Sequence, residues 1–233
     1  MASWFRIPWA HPSAILLIAQ LLGVLLYPFF DDSPVGRAML SLFSLAVLVL
    51  AVRAVRATPA WTWVAILLGV PVVALTILEA VYYQNATIIL WSAVLHAAFY
   101  FYTSYGLLRY LFKDRFVTPD ELWATGATFT VLAWAFAYVY VAAQVIWPGS
   151  FTAAVDPSAQ RSWIELLFLS FTTLTSTGLS DVLPILPNAR SLVMIEQVAG
   201  LMYVALVISR VVGLTLFRDR AQAGRPRTPT LSE

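Results

Sequence analysis

The chain has 233 residues, 61% hydrophobic and 11% charged, with a mean hydropathy of +0.80. Soluble domains run near a quarter charged, so this composition excludes a soluble globule and points to a membrane domain. A formal net charge of +2 leaves no basic surface for nucleic acid, and the absence of cysteine excludes disulfides, thiolate metal sites and thiol redox chemistry.

In chain order, residues 1–12 carry Trp4, Phe5, Arg6 and Trp9, aromatic and basic side chains suited to the headgroup level. The apolar run Ala14 to Phe30 lacks a small-residue cleavage pattern and ends in Phe29-Phe30-Asp31-Asp32, so it reads as a retained span. Further runs follow at about Val35–Val52, Trp61–Ala80, Thr87–Leu111, Leu122–Trp147 and Asn188–Phe217. Each suits the roughly 20 residues that a helix needs to cross. Between the last two lies a shorter apolar run, Trp163 to Leu174, of a length that suits a re-entrant or buried helix. Ser162 followed by Glu165 forms a capping box at its start. Small and hydroxyl residues, a glycine, an aspartate, Pro184 and Pro187 follow it, and the prolines stop any helix. Irregular backbone at membrane depth is tolerated only where protein or a water-filled path surrounds it. The expected fold is therefore an all-α membrane protein, with six transmembrane helices and a re-entrant pore helix and filter between the fifth and sixth.

Loop charges set the expected orientation. Arg53 and Arg56, then Arg109, Lys113 and Arg115, then Arg218, Arg220, Arg225 and Arg227 fall on one side. Asp31, Asp32, Glu79 and Asp156, with Arg37, Arg161 and Arg190, fall on the other. The positive-inside rule puts both termini in the cytoplasm and the stretch after Trp163 outside. Thr118-Pro119-Asp120-Glu121 reads as a capping box with proline at the first helical position, opening the fifth span. The fourth span has no arginine or lysine from Thr87 to Leu108, whereas a voltage sensor needs several charges inside the field.

Thr173-Leu174-Thr175-Ser176-Thr177-Gly178-Leu179-Ser180-Asp181-Val182 resembles the pore loop of the tetrameric potassium-channel superfamily, where the pattern is Thr-Leu-Thr-Thr-Val-Gly-Tyr-Gly-Asp-Ile. Trp147-Pro148-Gly149-Ser150-Phe151 and Ala189-Arg190-Ser191-Leu192 resemble the flanks of that loop in bacterial six-span members. Glu196, Gly200 and Ile208-Ser209-Arg210-Val211-Val212-Gly213 are similar to that family's inner helix. The resemblance covers about residues 118–217. The apolar runs and the lack of charge in the fourth span give a four-helix transmembrane domain without voltage-sensor charges over 1–115, and the resemblance implies a potassium-channel-like pore domain over 116–217. Residues 218–233 would be a disordered cytoplasmic tail without a soluble ligand-binding domain. The resemblance also implies a multi-pass protein of the bacterial cytoplasmic membrane, embedded in the lipid bilayer as a homotetramer. Thr175 would end the pore helix, Ser176, Thr177, Gly178, Leu179 and Ser180 would occupy the filter, and Asp181 would follow it. Permeant K+ or Na+ is expected in the filter, with no other metal and no cofactor.

The departures from that pattern fall together. Gly178 is kept, but Ser180 replaces the second filter glycine, and a left-handed L-residue costs roughly 1–2 kcal/mol. The outer filter is expected to take another course. Leu179 replaces the bracing tyrosine, Thr177 replaces valine, and Phe168 replaces an aromatic donor to the aspartate, leaving Asp181 without that partner. Phe168 and Glu196 are the filter-support candidates, Glu196 by resemblance to a glutamate bonded to the back of the pore helix. Gly200, Val204, Ile208, Val211 and Thr215 recur at helical spacing, reading either as pore lining and gate or as packing against the fifth span. Arg210 would ring the inner mouth if it faced the axis; otherwise it turns to phosphate or a neighbouring helix. His96, mid-way along the fourth span, reads as a packing histidine rather than a proton relay. The resulting reading is a passive cation channel, potassium being the principal ion with weak discrimination against sodium. The alternatives are a non-conducting channel-fold protein acting as sensor or assembly partner, and a polytopic transporter or membrane enzyme. No catalytic residues emerge, since Glu165, Glu196 and His96 are scattered.

Overall fold

The computed structural model describes residues 11–30, 34–56, 60–82, 85–112 and 119–223. Its helices are α1 (Pro12–Phe30), α2 (Pro34–Arg56), α3 (Thr62–Val81), α4 (Ala86–Leu111), α5 (Pro119–Ile146), α6 (Trp163–Leu174) and α7 (Pro187–Ala223). Two two-residue strands, β1 (Phe151–Thr152) and β2 (Leu183–Pro184), pair antiparallel. The segments Pro12–Phe30, Thr62–Val81, Ala86–Leu111, Asp120–Ile146 and Pro187–Arg210 are long and apolar enough to cross a membrane. α6, with 12 residues, is not. Trp4, Phe5, Arg6, Trp9, Asp31, Asp32, Lys113, Arg115, Thr118, Arg225 and Arg227, on which loop, cap and tail readings rested, lie outside the described residues.

Local signals account for the described ends. Asn85 caps α4, its side-chain oxygen accepting from the backbone N–H of Thr87 at 3.0 Å and of Ile88 at 3.3 Å. α7 differs from expectation by continuing past Phe217 to Ala223, into the region read as tail. The added residues Arg218-Asp219-Arg220-Ala221-Gln222-Ala223 are mostly good helix formers, and no breaker appears before Gly224 and Pro226.

α5 is the central helix. It packs against α4, α1, α6 and α7, and Ala124, Ala127, Ala133, Ala135 and Ala137 on it are all fully buried. Without water to drive association, small side chains are what let membrane helices approach and gain dispersion contact. α7 packs by one stripe only: Val193, Glu196, Gly200 and Tyr203 are buried, whereas Met194, Ile195, Val198, Leu201 and Met202 are exposed. α6 is thus wedged between a mostly covered helix and a half-covered one.

Candidate functional site

The approach to α6 is built like a bracket. Trp147-Pro148-Gly149-Ser150 makes a turn closed by the Ser150 N–H donating to the Trp147 carbonyl at 3.1 Å. Proline in its second position and Gly149 at φ +81° in its third fit a type II turn. The strand pair then ties this loop to the segment beyond the filter candidates, and Ile185 N–H donates to the Ser150 carbonyl at 2.8 Å. Arg161 is 5% exposed and fills the space between. Its guanidinium donates to the carbonyls of Val155, Asp156 and Ala159 and to Glu165 Oε1 at 3.2 Å. Gln144, near the end of α5, exchanges two hydrogen bonds with the Arg161 backbone, at 2.9 and 3.1 Å. The capping box forms as read: Ser162 N–H donates to Glu165 Oε2 at 2.6 Å, and Glu165 N–H donates to Ser162 Oγ at 3.4 Å. From the sequence Arg161 reads only as a loop charge and Gln144 carries no signal; an arginine four residues before a glutamate was the one available pointer.

Behind α6 lies a buried polar junction. Ser170 on α6 donates to Glu196 Oε1, and Tyr140 on α5 donates to Glu196 Oε2. Ser170 Oγ also lies 2.9 Å from the carbonyl of Ala133 on α5. Glu196 is fully buried, so one carboxyl group joins α5, α6 and α7 at a single point. Four residues on, Gly200 allows α7 to touch the end of α6: a Cβ there would sit 2.8 Å from Leu174 Cα. Gly200 therefore stands in the packing stripe. Val204 and Ile208 are exposed, 41% and 57%. Val211 and Thr215 continue α7, but their side chains lie outside the described set. Tyr140 and Ser170 went unnoticed in the sequence, although polar groups isolated in apolar helices are where such partners are found.

α6 ends in a left-handed closure. Thr175 caps it, Ser176 takes φ +57°, its N–H donates to the Thr173 carbonyl at 3.0 Å, and Thr177 N–H donates to the Thr172 carbonyl at 3.0 Å. This pair of bonds is a Schellman motif with serine where glycine is usual. Gly178, at φ +66°, also donates to the Thr172 carbonyl, at 3.1 Å. The left-handed non-glycine residue in this stretch is thus Ser176. Ser180 takes no positive φ, and its hydroxyl accepts from Val182 N–H at 3.0 Å. Thr175, Ser176, Thr177, Gly178 and Asp181 are exposed, Leu179 at 78%. Phe168 is 47% exposed, and among the described residues no side chain bonds to Asp181.

Near the opposite end of α7, Arg210 turns to α5, its Nη2 lying 3.2 Å from Glu121 Oε2 and its guanidinium over the Phe112 ring. Tyr203 donates to the Thr125 carbonyl at 2.5 Å. Asp120, beside Glu121, accepts from Tyr110 of α4 at 2.9 Å and faces His11 at 3.5 Å. The start of α5 is therefore the joint between the peripheral helices and α7.

Residues 122–216 match a family model described as an ion channel. No curated protein and no solved structure matches the chain. The matched stretch holds α5 from its first turn, the bracket, α6, its closing loop and α7 to beyond Arg210. The match covers less than half of the chain; with the five apolar helices it supports an ion-channel pore domain in a multi-pass membrane protein.

Proposed function

We propose that the chain is a passive cation channel that works as a homotetramer, with potassium as its principal ion and a filter altered enough to weaken discrimination against sodium. α6 is its re-entrant pore helix, and Thr175, Ser176, Thr177, Gly178, Leu179, Ser180 and Asp181 form the conduction path beyond it. α2, with 23 residues, is a sixth span beside the five. Residues 1–115 form a peripheral domain without voltage-sensor charges, and 116–217 the pore domain. Both termini lie in the cytoplasm of a bacterial cell, as the loop charges argue.

One observation carries this reading. A capped 12-residue helix ends in exposed, polar, irregular backbone, between two long helices of a stretch that matches an ion-channel family model. A filter replaces an ion's hydration shell with rings of carbonyls, which needs several loops converging on one axis. Each chain supplies one such loop, so conduction requires assembly, and Glu196, Phe168 and the bracket are the parts that hold the loop in place. Val204 and Ile208, exposed on α7, line the inner path, while Gly200 sets the contact between α7 and α6. A second reading, a channel fold that does not conduct, draws on the Schellman closure, which occupies carbonyls at the end of α6 within the chain itself.

Reconstitution into vesicles decides between them. Potassium efflux with a smaller sodium efflux, from a preparation that native mass measurement shows to be tetrameric, is the expected result. A monomer, or tetramers without flux for either ion, overturns the channel reading.

A further inference from the structure

A second buried polar cluster lies in α3 and α4, apart from the junction behind α6. Glu79 stands near the end of α3 and is half-buried. α3 ends, α4 begins and α5 ends on the face of the molecule that carries α6, so the Glu79 carboxyl group lies close to that face. Ser92 Oγ donates to Glu79 Oε2 at 2.6 Å and lies 3.3 Å from Nδ1 of His96. Ser92 and His96 are 1% and 2% exposed. Nδ1 is also 2.8 Å from the Ser92 carbonyl, an acceptor only, so the ring hydrogen sits on Nδ1. On the other side of the ring, Nε2 is 3.4 Å from Thr76 Oγ1, which itself lies 2.8 Å from the Val72 carbonyl.

The count of hydrogens is what makes this more than packing. A hydroxyl has one hydrogen and two lone pairs. With a neutral ring, Thr76 must turn its hydrogen to Nε2 and release the Val72 carbonyl. With a protonated ring, Nε2–H donates to Thr76 Oγ1, Thr76 keeps Val72, Nδ1–H keeps Ser92, and the Ser92 hydroxyl keeps Glu79. Every donor then has an acceptor, and the balancing carboxyl group is one hydroxyl away. A single hydroxyl rotation separates two satisfied states.

The surroundings supply a route onward. The groups facing His96 are Glu79 and Thr76 from α3, Tyr138 from α5 and Tyr100 from its own helix. α2 contributes Ser44, bonded to Tyr138; its described cations, Arg53 and Arg56, are at the far end. The Tyr138 ring stacks on His96 with centroids 4.3 Å apart and 12° between planes. Tyr138 in turn contacts Trp163, the first residue of α6, at 5.9 Å, and Trp134 links Tyr100 to the same indole at 5.8 and 5.1 Å. A cation stacked on an aromatic face is attracted to its quadrupole, so charging His96 changes how Tyr138 is held.

We propose that Glu79, Ser92, His96 and Thr76 form a hydrogen-ion binding site that opens to the α6 face, and that its occupancy acts on α6 through Tyr138 and Trp163. The site stands on its own geometry; only its consequence, control of conduction by pH, rests on the channel reading.

The chain has two histidines, so His11→Gln leaves His96 as the sole imidazole signal in the NMR spectrum of the nitrogen-labelled full chain in lipid nanodiscs. A protonation step of that ring between about pH 7.5 and pH 3.5, displaced by Glu79→Gln, is expected. A ring that stays neutral throughout, or a step that Glu79→Gln leaves in place, overturns the site whether or not the protein conducts. In vesicles, potassium flux is expected to change about fivefold when only the pH at the α6 face is lowered from above the NMR step to below it. Glu79→Gln and Ser92→Ala should flatten that response, and Tyr138→Leu should flatten it while leaving the NMR step. Flux indifferent to pH while the ring titrates overturns the coupling. Absence of flux at every pH instead counts against the channel reading, and the NMR result still decides the site.

Discussion

Glu196→Ala tests the junction behind α6. The substitution removes the acceptor of the Tyr140 hydroxyl and one of the two acceptors within reach of Ser170, at a point with no solvent to replace them. A buried hydrogen bond contributes about 1 kcal/mol net, and a buried hydroxyl left without a partner costs about 1–3 kcal/mol. Ser170 keeps the Ala133 carbonyl and Tyr140 keeps the Thr173 hydroxyl, so the loss is chiefly that of the two bonds to the carboxyl group. The expected destabilisation is about 2–4 kcal/mol per chain, or roughly 5–15 °C in midpoint temperature for a chain of this size. Tyr140→Phe removes only one of the bonds and should cost about 1 kcal/mol. Combined with Glu196→Ala it should cost less than the sum, with a coupling of about 1 kcal/mol, because the two residues share a bond. Thermal unfolding in mild detergent, followed by tryptophan fluorescence, reads all of these, with the exposed neighbour Gln197→Ala as a control expected to be silent. If Glu196→Ala unfolds within about 0.5 kcal/mol of the parent, or if Tyr140→Phe adds in full to it, the carboxyl group is not joining the three helices and the reasoning fails.

Open probability should change little between about −100 and +100 mV at neutral pH, since moving one charge through the field is worth about 2.3 kcal/mol per 100 mV and α4 has no arginine or lysine before Arg109. A steep activation curve that survives neutralisation of Arg53, Arg56 and Arg109 would show a sensor elsewhere. In the filter, Ser180→Gly alone removes the hydroxyl that accepts from Val182 and should do little for selectivity. The set Thr177→Val, Leu179→Tyr, Ser180→Gly and Phe168→Tyr should raise potassium preference over sodium by more than the sum of its members. Bi-ionic reversal potentials measure this, and a parent already strongly potassium-selective, with no gain in the combined variant, refutes the account of the filter.

What could be read from the sequence was whatever local chemistry decides. The ends of α6 follow from Ser162, Glu165 and the polar run after Leu174, and the helices emerged close to the apolar runs because backbone in lipid has to bond to itself. Partners distant in sequence were another matter. The resemblance pointed Glu196 at the back of α6, but the lengths of chain between it and Tyr140 or Ser170 do not say that these two are its partners. Gly200 shows the same limit: its spacing with Val204 and Ile208 fits one helical stripe, and only the approach of Leu174 puts it on the packed side. His96 read as packing because a lone histidine in an apolar helix gives no hint of the Thr76 and Tyr138 that face it from other helices, or of the Glu79 bonded to Ser92. At the loop, attention fell on Ser180, where a glycine was missing, while the left-handed angle belongs to Ser176, one turn of backbone earlier.

That shift has a physical sense. The carbonyls at the end of a helix need partners, and in a chain considered alone the nearest donors are the N–H groups of Ser176, Thr177 and Gly178. Those three bonds close α6 on itself and leave Thr175 to Leu179 exposed beside the uncovered stripe of Met194, Ile195, Val198, Leu201 and Met202. The two surfaces make different demands. Lipid tails can cover the apolar stripe at no cost, but they offer nothing to the backbone of Leu179 and Ser180, and each unbonded polar group in hydrocarbon costs several kcal/mol. At membrane depth that backbone has to meet water or another chain. In the proposed assembly, copies of the chain brought together around the loop would supply both, since apolar α7 faces could then pack on neighbours while the loops surround a wet axis. The same polar stretch that argues against lipid around α6 is therefore what would give the proposed assembly something to enclose.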